Sequence, residues 1–256
     1  MAFLLLLMAA SLAASATAAM EAEPACSPSL CGAVQVRYPF WLDGGGGGNV
    51  CGYPSLRLEC RGGTPVLRLP SGDYRVHRIS YGDNGDDGTF TLHDSIVHNS
   101  RCPLVVGRNL TLPEGSPPPF SLTGNDMNVT FYLRCPFNAS PSHMVACLEE
   151  ADGVHHTYAF KDGDYLLPYE FNSLCQDVVG MPVLRSSLGG SRWIHRVFRA
   201  LRRGFELRWT RALEGRCRDC ENSGGLCGHL GDAPYQFTCF TAPAAPAPAP
   251  ALPLSL

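Results

Sequence analysis

The chain has 256 residues, a formal net charge of -3 and twelve cysteines. That balance excludes a molecule that is basic throughout, as a nucleic-acid binder would be. After residue 20 no apolar stretch reaches the ~20 residues that a membrane-spanning helix needs, because Asp, Arg or Pro interrupts each one.

Residues 1–19, MAFLLLLMAASLAASATAA, read as a secretory signal. Phe3 to Met8 is an apolar core, small residues follow, and Thr17-Ala18-Ala19 allows cleavage near Ala19. The alternative, an uncleaved anchor, needs a longer apolar run. The cysteines come after the signal: Cys26, Cys31, Cys51, Cys60, Cys102, Cys135, Cys147, Cys175, Cys217, Cys220, Cys227 and Cys239. An even number behind a signal predicts a disulfide framework in an oxidising compartment. Spacing leaves the pairing open. Asn109-Leu110-Thr111 and Asn128-Val129-Thr130 are glycan acceptor sequences, so Asn109 and Asn128 are expected to carry sugar.

The segment from Asp43 to Asn49 is a glycine run and reads as a flexible loop. Between residues 53 and 98, short apolar runs bounded by Gly, Asp, Asn and Pro predict antiparallel hairpins. Tyr81 to Gly88 is a turn, and Pro113 to Pro119 a surface loop. Met127 to Cys135 is a further strand, and a linker places a boundary near residue 140. Val178 to Leu184 is a β run interrupted by Gly180 and Pro182. Ser191 to Arg203 has the period of an amphipathic helix, with Ser191 as its cap and Gly204 as its left-handed end. Phe205, Leu207 and Trp209 alternate with Glu206 and Arg208, as in a half-buried strand. The Ala/Pro tail, residues 241–256, has no core-forming pattern and is expected to be disordered.

No catalytic constellation stands out. Nucleophile-elbow, HExxH and kinase phosphate-binding motifs are absent. Cys217, Cys220, Cys227 and Cys239 have the spacing of a four-thiolate zinc site, but the signal favours disulfides, so no metal and no cofactor are expected. His155-His156 reads as a surface turn. Charge is unevenly placed. Of the 20 basic residues only Lys161 is a lysine, and ten arginines lie between Arg185 and Arg218. On a helix, Arg192, Arg196, Arg199 and Arg203 would share one face. That face is either simply solvated, or lies on a membrane surface, or meets an acidic polymer whose carboxylates the guanidinium forks can pair.

Several separated words resemble one family. Cys26-x4-Cys31-Gly32, Tyr38-Pro39-Phe40-Trp41, Cys51-Gly52-Tyr53-Pro54 and Leu58-x-Cys60 are similar to the start of the galacturonan-binding domain of plant wall-associated receptor kinases. The leaf-rust-resistance receptor-like branch is the nearest in wording. Tyr74-Arg75-Val76, Cys102-Pro103 and Phe131-x3-Cys135 continue the likeness. Val179-x2-Pro182-Val183, Gly204-Phe205-x-Leu207-x-Trp209 and Cys217-x2-Cys220-x2-Ser223-Gly224-Gly225-x-Cys227-Gly228 resemble the family's C-terminal domain. Two departures stand out. Thr241 occupies a position where the family writes a cysteine, and the receptors continue into a transmembrane helix and a Ser/Thr kinase that are not found here.

The resemblance implies a mainly β, disulfide-rich extracellular ectodomain with two small β-rich subdomains and one short amphipathic helix. The galacturonan-binding-like domain would span 26–140 and the C-terminal-like domain 141–240. It further implies secretion to the cell wall and non-catalytic binding of pectin, an acidic polysaccharide. The candidate ligand residues are Arg37, Arg57, Arg61, Tyr38 and Trp41 in the first part and Arg192, Arg196, Arg199 and Arg203 in the second. Tyr38, Phe40 and Trp41 either pack the core or offer a face to sugar, and at least two of them are expected to pack. The alternative function is a protein-interaction ectodomain for a peptide ligand or a receptor kinase, or the truncated product of a receptor-kinase gene.

Overall fold

In the computed structural model the described residues are 26–45, 47–82, 88–97, 102, 108–115, 119–139, 141–164, 169–190, 192–209, 217–231 and 236–241. The signal, most of the tail and the centre of the turn at 81–88 lie outside them.

The largest element is a seven-stranded sheet in the order β3-β4-β5-β6-β7-β12-β8. Its centre is a meander of β4 (Arg57–Arg61), β5 (Thr64–Leu69), β6 (Gly72–Ser80) and β7 (Thr89–Asp94), all antiparallel. These are the hairpins expected from the alternating text. β4 and β5 are joined by Gly62-Gly63, both at positive φ (56° and 73°), as a two-residue hairpin turn requires. That turn meets the preceding hairpin, β1 (Ser29–Cys31) and β2 (Val34–Val36). A Cβ on Gly32 would lie 2.0 Å from the carbonyl oxygen of Gly63, so only glycine lets the two turns touch. The disulfide Cys31–Cys60 fastens the same contact. β3 (Trp41–Leu42) runs parallel to β4 at one edge.

A three-stranded sheet has β9 (Asp126–Cys135) between β10 (His156–Lys161) and β11 (Asp177–Leu184). β11 is continuous through Gly180 and Pro182, and Pro182 is tolerated because the strand lies at an edge. The seven-stranded and three-stranded sheets both take strands from either side of residue 140. β9 pairs with two later strands, while β12 (Phe205–Trp209) inserts between β7 and β8 (Phe120–Leu122). The exchange is fastened where the strands cross. Leu184 N donates to Gly204 O at 2.8 Å, Arg185 N to Asn125 O at 2.8 Å, and Glu206 N to Asp126 Oδ1 at 2.9 Å.

Two main cores result. Phe40, Leu58, Leu67, Val76, Phe90, Leu92, Leu207 and Trp209 fill the first. Val129, Phe131, Val179, Trp193, Val197 and Leu201 fill the second, beneath the arginine-rich segment. That segment is not one helix. Trp193–Arg196 is a 3-10 turn and only Val197–Arg203 is α-helical (α2, with α1 at Tyr169–Leu174). Arg196 stands at the N-cap and makes no capping bond, and an arginine side chain has no acceptor to offer the free N–H groups there. Gly204 ends α2 with φ 80° and ψ -156°, a glycine region other than the left-handed helical one expected.

The chain closes with α3 (Cys217–Asn222) and the hairpin of β13 (Gly225–Leu230) and β14 (Gln236–Thr241). This unit packs back on the start of the chain, with Cys217, Cys220, Cys227 and Phe237 against Tyr38 and Tyr53. Three short α-helices are therefore present among the described residues, where the sequence indicated one. α1 and α3 have six residues each, too few for a helical period to declare itself. All twelve cysteines are paired: 26–51, 31–60, 102–147, 135–175, 217–227 and 220–239. The chain is mostly strand and disulfide-rich, and among the described residues no helix is long and apolar enough to cross a membrane.

Candidate functional site

The aromatic run at the start divides by depth. Tyr38 is 5% exposed, with its ring beside Tyr53 and Phe237 and its hydroxyl 3.0 Å from that of Tyr53. It is therefore a packing residue, the role expected of at least two of the run, with its remaining surface in the wall of the cleft described below. Phe40 is in the first core, 5.2 Å from both Phe90 and Trp209. Trp41 differs from both. It lies half-buried on edge strand β3, while Trp193 and Trp209 are 5% and 1% exposed.

Three contacts hold the Trp41 ring. Its Nε1 donates to Tyr53 O at 3.0 Å. Its pyrrole edge rests on Gly52, where an added Cβ would come within 2.7 Å of Cδ1. The guanidinium of Arg57 lies over the ring, 5.7 Å from its centre, and pairs with Asp43 at 2.5 Å. A flat apolar face, a cation and a carboxylate thus stand together at one sheet edge. Beside them is a small cleft lined by Ser27, Arg37, Trp41, Leu42 and Gly45, with about 30 Å³ of space. The Cys26–Cys51 bridge forms part of its wall.

Arg37, Arg61 and Arg68 are held by carboxylates as well. Arg61 pairs with Glu59 and Asp73, and Arg68 reaches the same two groups. The hydrogen bond from Arg61 holds the Asp73 carboxyl below its usual range, against a smaller opposing effect of burial. Arg37 pairs with Glu221 and lies over the Tyr81 ring at 4.1 Å.

The α2 segment is the opposite case. Arg192, Arg196, Arg199 and Arg203 are all exposed, and none forms an ion pair among the described residues. Arg196 donates to the carbonyl of Gly189 at 2.5 Å. The single-face row must be corrected, since only Arg199 and Arg203 sit within α2 while Arg196 is its N-cap and Arg192 precedes the 3-10 turn. What remains is a loose group of uncompensated cations.

Two metal readings can be judged on their donor atoms. The sulfurs of Cys217, Cys220, Cys227 and Cys239 are bonded in two disulfides, so they are not thiolates. Glu150, Asp152 and His155 bring donor atoms within 4.8 Å of one another. Arg134 already pairs with Glu150, and the His155 hydrogen bond holds the Asp152 carboxyl well below its usual range, so internal ion pairs account for the group. Sequence reasoning missed these partners, and likewise Glu149 on His156 at 2.6 Å. It also missed Asp43, Glu59 and Asp73 as partners of the arginines. Asp43 and Asp73 reach their arginines only through strand pairing, so that signal was weak, whereas Glu59 and Arg61 share one face of β4 and were legible from the period of two. Asn109 is exposed in an irregular segment, and Asn128 is half-buried on β9.

A family model described as wall-associated receptor kinase galacturonan-binding matches residues 26–94, which hold Trp41, Arg57 and Arg61. One described as wall-associated receptor kinase C-terminal matches residues 146–243, which hold the α2 arginines. The chain is also 26% identical over 220 residues to the leaf rust 10 disease-resistance locus receptor-like protein kinase-like 2.8 of Arabidopsis thaliana. The match covers 80% of this chain and 23% of that protein, so this chain spans about a quarter of its relative. No solved structure matches. No kinase domain lies within the 256 residues, and the matched regions are ectodomain types. With both ectodomain regions present in order, the chain belongs to the wall-associated receptor kinase family.

Proposed function

We propose that this protein is an extracellular, non-catalytic module that binds the acidic polysaccharide pectin in the cell wall. The observation that carries the reading is the Trp41–Arg57–Asp43 group. It lies inside the region that matches the galacturonan-binding model. The indole offers a flat face to the C–H side of a sugar ring. Asp43 engages Arg57 through Nη2, so the other donors of the fork suit a uronate carboxylate, and Asp43 can accept from a sugar hydroxyl.

The α2 arginines have a different part in this reading. Arg192, Arg196, Arg199 and Arg203 form no ion pair among the described residues, so they raise the local concentration of a polyanion. Arg61 and Arg68 are already occupied by Glu59 and Asp73, so a polymer would have to compete for them. Individual exposed pairs contribute only ~0–1 kcal/mol, so affinity rests on repetition along the polymer.

The test is binding of purified chain to de-esterified and methyl-esterified pectin fragments across a salt series. The reading expects binding that needs free carboxylates and weakens steeply with salt. Binding to neither fragment, or binding indifferent to salt and esterification, would point to a peptide or co-receptor ligand.

A further inference from the structure

Strand β11 is an edge of its sheet, and an open edge offers its outward N–H and C=O groups to any passing chain. Here no free outward N–H is left at three successive positions. Leu184 N donates to Gly204 O at 2.8 Å. Pro182 has no N–H to offer. Gly180 N donates to the side-chain oxygen Oδ1 of Asn109 at 2.7 Å. Val178 is the next residue of that row, and it is 38% exposed.

Asn109 is also the acceptor residue of Asn109-Leu110-Thr111. Its two amide atoms have separable uses. In N-linked transfer from a lipid-linked diphosphate oligosaccharide, Nδ2 forms a bond to the sugar C1. The C1–O bond to the diphosphate breaks, the diphosphate leaves with the electron pair, and one Nδ2 proton is released. Oδ1 keeps its lone pairs and can still accept from Gly180. Glycine lets the amides approach: a Cβ on Gly180 would stand 3.0 Å from Asn128 Nδ2 and 3.6 Å from Asn109 Oδ1, so both side chains lie close against β11 there. Asn128 is half-buried on the central strand with Nδ2 toward Thr130 Oγ1 at 3.4 Å, while Asn109 is exposed.

We infer that Asn109 is a sugar-bearing edge seal. Its Oδ1 closes β11 at Gly180, and its Nδ2 carries an N-linked glycan that covers the neighbouring open position at Val178. The glycan half rests on the extracellular reading above, whereas the seal does not.

Two variants separate the halves. Thr111→Ala destroys the acceptor sequence and keeps Asn109; among the described residues Thr111 bonds through its backbone, to the Ser71 hydroxyl. Asn109→Ala removes both functions. The full chain is secreted from a eukaryotic host, and glycopeptide mass and amide exchange at Gly180 are measured. Thr111→Ala should lose the sugar at 109 and leave Gly180 exchange as in the parent. Asn109→Ala should lose the sugar and speed Gly180 exchange roughly three- to tenfold, the worth of one hydrogen bond. Unchanged exchange in Asn109→Ala would overturn the seal. A bare Asn109 in a chain glycosylated at Asn128 would overturn the sugar half. A chain with free thiols and no sugar at either position would overturn the extracellular reading and the sugar half with it, and the exchange comparison would still decide the seal.

Discussion

Arg37 and Glu221 stand 184 positions apart in sequence and form an ion pair at 2.5 Å. The pair marks where the last disulfide unit docks on the first. Both groups are partly exposed (26% and 39%), so solvent screens them and the pair is worth under ~1 kcal/mol. The docking itself is apolar, through Tyr38, Tyr53 and Phe237. Glu221→Gln should therefore barely move the denaturant midpoint. Phe237→Ala should cost about 2–3 kcal/mol, somewhat less than a fully buried ring. Unfolding curves with the disulfides intact check this, and the reverse order of costs would contradict it.

The twelve cysteines should titrate as no free thiol in denatured, unreduced protein. Replacing Cys217 and Cys227 together by serine opens a bridge of sequence separation 10 and should cost about 2–3 kcal/mol on the loop-entropy relation. The same measurement addresses the zinc reading, since stoichiometric metal or several reactive thiols would contradict the pairing.

Gly204→Ala should be among the most damaging single changes, at several kcal/mol or failure to secrete. The added Cβ would lie 2.0 Å from Leu92 O, and the backbone φ of 80° already disfavours a side chain. Both problems arise where α2 passes into β12, so they strike the strand exchange. Secretion yield and thermal midpoint are the readouts, and a normal midpoint would contradict the register of β12 against β7.

The carboxyls of Asp126 and Asp94 should each contribute more stability as pH falls toward the acid range. Burial raises the carboxyl of Asp126 above 3.8, against the hydrogen bonds of Glu206 N and Thr123. Burial likewise raises Asp94, against Ile96 N and Arg108. A carboxyl raised in the folded state takes up a proton more readily there than in the unfolded chain. Its contribution is therefore fully present below 3.8 and is lost as pH rises through the folded value. Asp73 works the other way, for its lowered carboxyl stabilises above 3.8 and loses that contribution as pH falls through its folded value. Asp126→Asn should flatten the loss of stability as pH rises above 3.8, besides costing about 1–3 kcal/mol for its broken hydrogen bonds. Melts across that range check the sign, and an unchanged slope would contradict the assignment to Asp126.

Local patterns in the sequence carried much of this fold. The alternation Phe205, Leu207, Trp209 is β12, and the glycine pair 62–63 is a hairpin turn, because such features depend on neighbouring residues alone. The strand exchange was not legible, because pairing β12 with β7 depends on contacts more than a hundred positions apart. The start of α2 was misjudged for a physical reason too, in that the periodic apolar residues 193 and 194 are equally satisfied by a 3-10 turn. At the candidate site the residue types were legible, but not their depth. Tyr38 and Trp41 are three positions apart, and only the fold of the last disulfide unit over Tyr38 separates their fates.

Affinity for a de-esterified oligogalacturonide, measured by calorimetry at low salt, tests the proposed function most directly. The proteins to compare are the parent, Trp41→Ala, Arg57→Gln and the quadruple change of Arg192, Arg196, Arg199 and Arg203 to Gln. Arg57→Gln guards against a folding defect in Trp41→Ala, since Arg57 is exposed. The account predicts about tenfold or greater weakening for each first-part variant, as for a central contact worth ~1.4 kcal/mol or more. It predicts a smaller loss and a shallower salt dependence for the quadruple variant. Parent-like affinity in both Trp41→Ala and Arg57→Gln, with binding abolished in the quadruple variant, would contradict it and move the site to the α2 arginines.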